Sequence, residues 1–273
     1  MNFFKKLTEN IKKNNSLLCV GLDADFAKLP EHLKSEKHPQ FTFNKAIIDA
    51  THDIACVYKP NPAFYEARGI EGIEELKMTC DYIRETYPDM PIIIDAKRGD
   101  IGNTNEGYAS FVFDYLQADA ITVMPYMGIE SLDAFFKRKD KGVIIGCHSS
   151  NPGAKEFQEM NMHDGIPLYE IVAEQIVKQQ GKNPNVMIFM GATYPGQIQR
   201  IREIVGNMTF LVPGVGAQGG DLESFVSAGL NADLAGLLIN SSRGIIFASD
   251  GEDFAEKAKE EATKLRDQIN LYR

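Results

Sequence analysis

The sequence of 273 residues predicts an α/β fold, a (β/α)8 TIM barrel formed as one domain over residues 1–273. Three observations carry that expectation. Short apolar runs rich in Val and Ile recur eight times, each followed by a polar turn and a longer segment of helical periodicity. The runs are continuous rather than alternating, the pattern of strands buried on both faces of a parallel sheet. Eight such units in a chain of this length fit a closed barrel better than an open doubly wound sheet.

In order, the runs are SLLCVGLD from Ser16, IACVYKP from Ile54, PIIIDAK from Pro91 and AITVMP from Ala120. GVIIGC from Gly142, NVMIFMGAT from Asn185, MTFLVPG from Met208 and LAGLLIN from Leu234 complete the set. Helical periodicity is clearest from Gly69 to Tyr87 and from Asp253 to Leu271. Ahead of the first run, Phe3, Phe4, Leu7 and Ile11 stand at helical spacing between lysines, predicting a helix over about residues 2–14 that packs on the barrel. That segment has neither the apolar length of a signal nor that of a membrane span. The longest connections run from Ala24 to Phe41 and from Ser149 to Ile166; the second, polar and carrying Gly153 and Gly165, reads as a flap beside a site.

With 44% apolar residues the chain has enough material for one large core. Its net charge of −9 disfavours nucleic acid and other polyanions, so an anionic small molecule would need a local basic pocket. Cys19, Cys56, Cys80 and Cys147 lack metal-ligand spacing and sit mostly in apolar runs. They read as reduced and buried, in a cytoplasmic protein with no membrane contact.

Barrel chemistry gathers where strands end at their C-terminal side. The third run ends PIIIDAKRGDIGNTNEGY, placing Asp95 and Lys97 two residues apart and therefore on one face, with Asp100 in the following loop. VYKPNP puts Lys59 at the end of the neighbouring strand. A solvated ion-pair network is the bland alternative, but a carboxylate and an ammonium directly after three isoleucines are withdrawn from water, and a desolvated pair is poor material for stability. At the opposite side, PGVGAQGGD offers Gly214, Gly216, Gly219 and Gly220, whose backbone N–H groups suit an anion, with Gln218 as an amide donor. INSSRGI adds Arg243, fit to bind phosphate bidentately.

DAKRGDIGNTN resembles the D-x-K-x-x-D signature of the orotidine 5'-phosphate decarboxylase superfamily. CVGLD, VYKPN, SSNPGA, VPGVGAQGGD and SSRG match the same family in order along nearly the whole chain, closest to its longer bacterial subgroup. The resemblance implies cofactor-free decarboxylation of a pyrimidine nucleotide to UMP in de novo pyrimidine biosynthesis, with no metal. Lys97, Asp95, Lys59 and Asp100 would be the catalytic array. Asp23 and Thr104 would contact the ribose, Ser150 the pyrimidine edge, and Pro213, Gln218 and Arg243 the remainder of the nucleotide, Gln218 and Arg243 gripping its phosphate. The protein would be a homodimer, with Asp100 and Thr104 reaching the neighbouring subunit's site.

Two other readings share these residues: a metal-dependent sugar-phosphate decarboxylase or aldolase on the same barrel, and a non-catalytic barrel that binds a phosphate ligand. Lys59 argues against the metal, since an ammonium repels a cation and offers it no lone pair. His148, just past the fifth run, has no acidic partner or nucleophile at a spacing that suggests a relay, and His52 is expected to pack on its helix.

Overall fold

A computed structural model describes residues 2–162, 165–191, 195–213 and 222–273. Its strands are β1 (Leu18–Gly21), β2 (Val57–Lys59), β3 (Ile93–Arg98), β4 (Ala120–Val123), β5 (Gly142–His148), β6 (Val186–Met190), β7 (Phe210–Pro213) and β8 (Leu237–Ser241). They lie side by side in the order β2-β1-β8-β7-β6-β5-β4-β3, and every laddered pair is parallel. The ring closes between β2 and β3. There Tyr58 and Ile92 form a parallel bridge, the Tyr58 N–H donates to the Pro91 carbonyl at 3.1 Å, and the Asp95 N–H donates to the Pro60 carbonyl at 3.0 Å. The architecture is the expected (β/α)8 barrel.

Each predicted run coincides with one strand to within three residues at either end. The eighth run begins at Leu234, but that residue is exposed and has φ 54°, and the strand starts three residues later. A left-handed leucine ends a turn here and does not enter a ladder.

The helices are α1 (Phe3–Lys13), α2 (Pro39–Thr51), α3 (Ala63–Glu66), α4 (Gly69–Thr86), α5 (Gly102–Ala109), α6 (Asp133–Phe136) and α7 (Ala154–Phe157). They continue as α8 (Leu168–Gln180), α9 (Pro195–Val205), α10 (Leu222–Gly229), α11 (Arg243–Ile246) and α12 (Phe254–Asn270). Alternate strand residues divide between two apolar layers, as the pleat requires. Val20, Ile94, Ile145, Ile188 and Ile239 pack outward under the helices, while Cys19, Ile93, Ile144, Met187, Leu211 and Leu238 fill the barrel interior.

Helix α1 completes the inner layer from below. Phe3 and Leu7 are buried against the barrel interior, and Asn2 caps the helix by accepting from the Lys5 N–H at 2.9 Å. Gly142 opens β5 where a Cβ would meet the Phe3 ring at 2.4 Å, so the glycine gives the plug its seat. Lys6 ties the helix to Asp119 at 3.0 Å. Among the described residues no helix is long and apolar enough to cross a membrane.

Leu7→Ala should therefore lower the unfolding free energy by about 3 kcal/mol through lost burial and a cavity at the barrel floor. Urea titration followed by circular dichroism reads the loss, and turnover per folded molecule should be unchanged.

Candidate functional site

The C-terminal mouth of the barrel holds a cavity of about 370 Å³, lined among others by Asp23, Lys28, Lys59, Asn61, Asp95 and Lys97 on one side and by Pro213, Asn240, Ser242 and Arg243 on the other. Its size lies within the range of small-molecule sites. The first wall comes from the ends of β1, β2 and β3, the second from β7, β8 and α11.

Asp95 is the centre of the first wall. Its Oδ2 accepts from Lys59 Nζ at 2.7 Å and its Oδ1 from Lys97 Nζ at 2.7 Å. Oδ1 also accepts from the Thr122 hydroxyl at 2.9 Å. Lys59 is only 2% exposed, whereas Lys97 is 43% exposed and faces the cavity. Burial by itself would raise the Asp95 pKa, but the charges of Lys59 and Lys97 outweigh it and hold the carboxyl well below the usual carboxylate range. Burial likewise works against the Lys59 ammonium, and the charges of Asp95 and Asp23 overcome it, so the group is held charged above the ordinary lysine value.

The sequence places Asp95 and Lys97 on one face by simple alternation; the side chains do meet, but by a different route. The β3–β4 register shifts between Ile94 and Arg98, and Lys97 takes a left-handed backbone with φ 47°. A non-glycine residue in that region costs energy and persists only where its surroundings hold it there. The Lys97 N–H, turned out of the regular ladder, donates to Thr122 Oγ1 at 3.0 Å.

Asp23 ends the first strand segment and acts electrostatically on Lys59. Its Oδ1 and the Ser242 Oγ are both buried without a hydrogen-bond partner among the described residues, and both residues line the cavity. Unsatisfied buried acceptors are costly, so two of them facing one cavity point to a ligand rich in hydroxyl groups. Gly21 is obligatory beside them, since a Cβ there would lie 1.8 Å from Ser242 Oγ. Arg243 begins α11, is exposed, and forms no ion pair with any described carboxylate. Its guanidinium is available to an anion.

The expected residues thus separate into groups. Asp23, Lys59, Asp95, Lys97, Pro213 and Arg243 converge on the cavity. Asp100 and Thr104 do not line it. The Asp100 carboxylate accepts from the Ile101 N–H at 2.6 Å, and Thr104 is exposed on α5 beside Arg98 and Tyr108. The second aspartate of this chain's own cavity is accordingly Asp23. Ser150 follows β5, and Gly191 at the end of β6 packs so closely on it that a Cβ would lie 2.5 Å from its N. Gln218 and the glycines of its loop lie outside the described residues. Thr122, Asn240, Ser242, Asn61 and Lys28 are among the residues that sequence reasoning missed, because each reads as an ordinary strand, turn or surface position.

His148 does have an acidic partner, contrary to the expectation from spacing: its Nε2 lies 3.2 Å from Glu159 Oε1, brought close by the chain reversal through α7. Burial lowers its pKa while Glu159 opposes the shift. It packs on Tyr169 and does not line the cavity. His52, at the end of α2, places Nδ1 3.0 Å from the Asp49 carbonyl of its own helix and also stacks on Tyr87 at the end of α4, ring centroids 4.4 Å apart.

The geometry defines a (β/α)8 barrel whose strand ends hold a charged cavity with a lysine–aspartate–lysine array built around the buried Asp95. Comparison with known proteins narrows that class. The model of the "Orotidine 5'-phosphate decarboxylase / HUMPS family" matches residues 16–258, and the chain belongs to this family. It is 48% identical over 275 residues to orotidine 5'-phosphate decarboxylase of Cellvibrio japonicus, with both chains fully covered. Identity to the enzyme of that name from Dechloromonas aromatica is also 48%, over 273 residues and all of both chains. Among solved structures, Leishmania donovani OMP decarboxylase superposes with a TM-score of 0.86 at 39% identity, covering 100% of this chain and 99% of the other. A putative orotidine-monophosphate-decarboxylase from Toxoplasma gondii gives 0.90 at 38% identity, covering 99% and 96%.

The ion array has a stability signature. Because the Asp95 pKa is depressed on folding, its contribution is present above the unfolded carboxylate value, about 3.9, and is lost as pH falls through the folded value. The raised Lys59 value gives a contribution fully present below about 10.4 and lost as pH rises through the folded value. Asp95→Asn should cost about 3–5 kcal/mol at neutral pH by leaving Lys59 buried without a counter-charge. It should also flatten the acid limb, as measured by urea unfolding across pH.

Proposed function

We propose that this chain is a carboxy-lyase that converts orotidine 5'-phosphate to UMP and CO2 without metal or organic cofactor, as a step of pyrimidine biosynthesis. The observation that carries the reading is Asp95, buried and held at 2.7 Å by Lys59 on one oxygen and by Lys97 on the other, with the exposed Arg243, unpaired among the described residues, across the same cavity. Both carboxylate oxygens are already paired with ammonium groups, which favours this chemistry over a divalent cation bound at Asp95.

Breaking the bond from C6 of the orotate ring to its carboxylate leaves an electron pair in an sp2 orbital perpendicular to the ring π system. The ring offers that pair no resonance sink, so the protein must stabilise it electrostatically. The Lys97 ammonium, placed beside C6, stabilises the developing carbanion and then transfers its proton to C6, leaving a neutral amine as CO2 departs. Asp95 lies toward the departing carboxylate, where like charge raises the ground-state energy. Lys59 holds Asp95 ionised, Asp23 takes the ribose hydroxyls, and Ser150 reads the pyrimidine edge. Pro213, Gln218 and Arg243 hold the phosphate end. Barrier reductions of the largest enzymatic size, roughly 20 kcal/mol, exceed what one lysine contact supplies, so binding at the phosphate must contribute.

The reading extends to assembly and location. Asp100 and Thr104 stand outside their own cavity, which suits a homodimer in which they complete the partner's site. The chain works as one domain in the cytoplasm, in keeping with four free, buried cysteines.

Following the loss of orotidine 5'-phosphate absorbance tests the proposal directly. Turnover that survives a metal chelator, and that Lys97→Ala abolishes while UMP binding falls far less, is the expected result. Chelator-sensitive turnover, or near-normal activity without Lys97, would overturn it. Arg243→Ala should lose at least 100-fold in kcat/KM, roughly the cost of an unmade charged contact. Added phosphite dianion should raise the rate of decarboxylation of the truncated nucleoside orotidine, and no rescue would place the phosphate elsewhere.

A further inference from the structure

We infer that Thr122 is a positioning residue for decarboxylation, a role that rests on the function proposed above. Its hydroxyl fixes at once the backbone turn that carries Lys97 and the carboxylate oxygen that Lys97 faces.

The argument begins in the strand register. Ile93 pairs with Ala120 and Ile94 with Ile121, but the next partners are Arg98 and Val123. Four steps along β3 therefore match two along β4, and Thr122 alone stands opposite Asp95, Ala96 and Lys97. An irregularity of this kind leaves backbone groups without ladder partners and re-aims side chains. Here the Lys97 backbone turns left-handed, φ 47°, and its N–H has no strand carbonyl to reach.

Thr122 Oγ1 accepts from that N–H at 3.0 Å and donates its own O–H to Asp95 Oδ1 at 2.9 Å. The same Oδ1 accepts from Lys97 Nζ at 2.7 Å. A closed circuit results, running from the Lys97 main chain through the Thr122 hydroxyl and Asp95 to the Lys97 side chain. Thr122 is 2% exposed and does not line the cavity, so it acts through the other two residues and not on the ligand. Branching at Cβ restricts its χ1 and keeps the oxygen aimed.

This arrangement answers a problem that Lys97 poses. A lysine has many rotamers, and this one is 43% exposed, so packing alone does not hold its ammonium in place. Besides the Phe189 ring, 5.8 Å from its ammonium, its anchor points are the turn at its own Cα and the oxygen at its tip, and Thr122 bonds both of these. Reacting groups misplaced by about 1 Å lose on the order of 100-fold in rate, the size of effect expected if the hydroxyl is removed.

The full-length protein with Thr122→Val, Thr122→Ser or neither substitution supplies the test. Valine keeps the shape and removes both bonds; serine restores the hydroxyl. For Val we expect kcat to fall about 100-fold while KM and UMP affinity stay within about 2-fold, with the unfolding midpoint lowered modestly by the Lys97 N–H left unpaired but the native fold kept. Ser should recover kcat to within a few-fold. Hydrogen exchange at the Lys97 amide should accelerate in Val and not in Ser, a readout independent of turnover. Val with wild-type kcat, Ser as impaired as Val, or loss of UMP affinity or of folding in step with kcat would each overturn the role. An inactive wild-type protein would instead sink the proposed function, with Lys97 exchange still reporting on the Thr122 bond.

Discussion

A carboxylate buried at a barrel mouth must be paired on both oxygens or it will not stay ionised, and much of the site follows from meeting that condition at Asp95. One counter-ion comes from the adjacent strand end, Lys59 on β2, and is itself buried. The other, Lys97, comes from the same strand only because β3 departs from regular geometry before it finishes. Two ammonium groups around one carboxylate leave the array with a formal charge of +1, moderated by Asp23. A protein of net charge −9 thus acquires a locally cationic spot, with Lys28 and Arg243 on the same cavity, and an anionic ligand is directed there by the local field.

The wall behind the array is built to limit movement. Lys59 shares a backbone bond with β1, its carbonyl accepting from the Leu22 N–H at 3.1 Å, and the Leu22 carbonyl accepts from the Tyr65 hydroxyl at 2.8 Å. Asn44 then donates to the same hydroxyl at 2.7 Å and to Thr79 at 3.1 Å. Gln40, fully buried, donates to the Ala24 carbonyl at 2.6 Å and the Phe64 carbonyl at 2.9 Å, joining the loops that follow β1 and β2. Loops usually carry function at the expense of precision. Here buried amides from α2 pin the loops on either side of Asp23 and Lys59.

Physical differences between features explain which parts of this design the sequence discloses. Eight strands and the α1 plug are legible because burial on two faces writes itself as continuous apolar runs and burial on one face writes itself as helical spacing. Lys59, Asp95 and Lys97 are legible because charges at the ends of such runs are out of place. The left-handed backbone at Lys97 is not, since nothing in IIDAKR separates it from a straight strand and only pairing with β4 imposes the shift. Thr122 is hidden for the same reason: in AITVMP a threonine is a good strand former, and its second role exists only across the irregular register. Leu234 misleads in the opposite sense, an apolar residue next to a strand but facing solvent. Glu159 escapes notice as a partner of His148 because the two stand eleven positions apart and the chain between them folds back on itself.

The two ends of the cavity are prepared differently, and that asymmetry has an energetic logic. At the end that carries the lysine–aspartate–lysine array, Asp95 already accepts from three donors, so the geometry of that array is set during folding. Such an array stabilises the fold poorly for its burial, since desolvation consumes most of the Coulombic gain. At the far end Arg243 is exposed and pairs with no described carboxylate, so its attraction for an anion is realised only on binding. Were Arg243 paired within the protein, that attraction would be spent before a ligand entered. Were Asp95 left unpaired, burial would protonate it and remove the charge that orients Lys97. The chain therefore commits its electrostatics during folding at Asp95, and leaves the Arg243 charge without a carboxylate partner among the described residues.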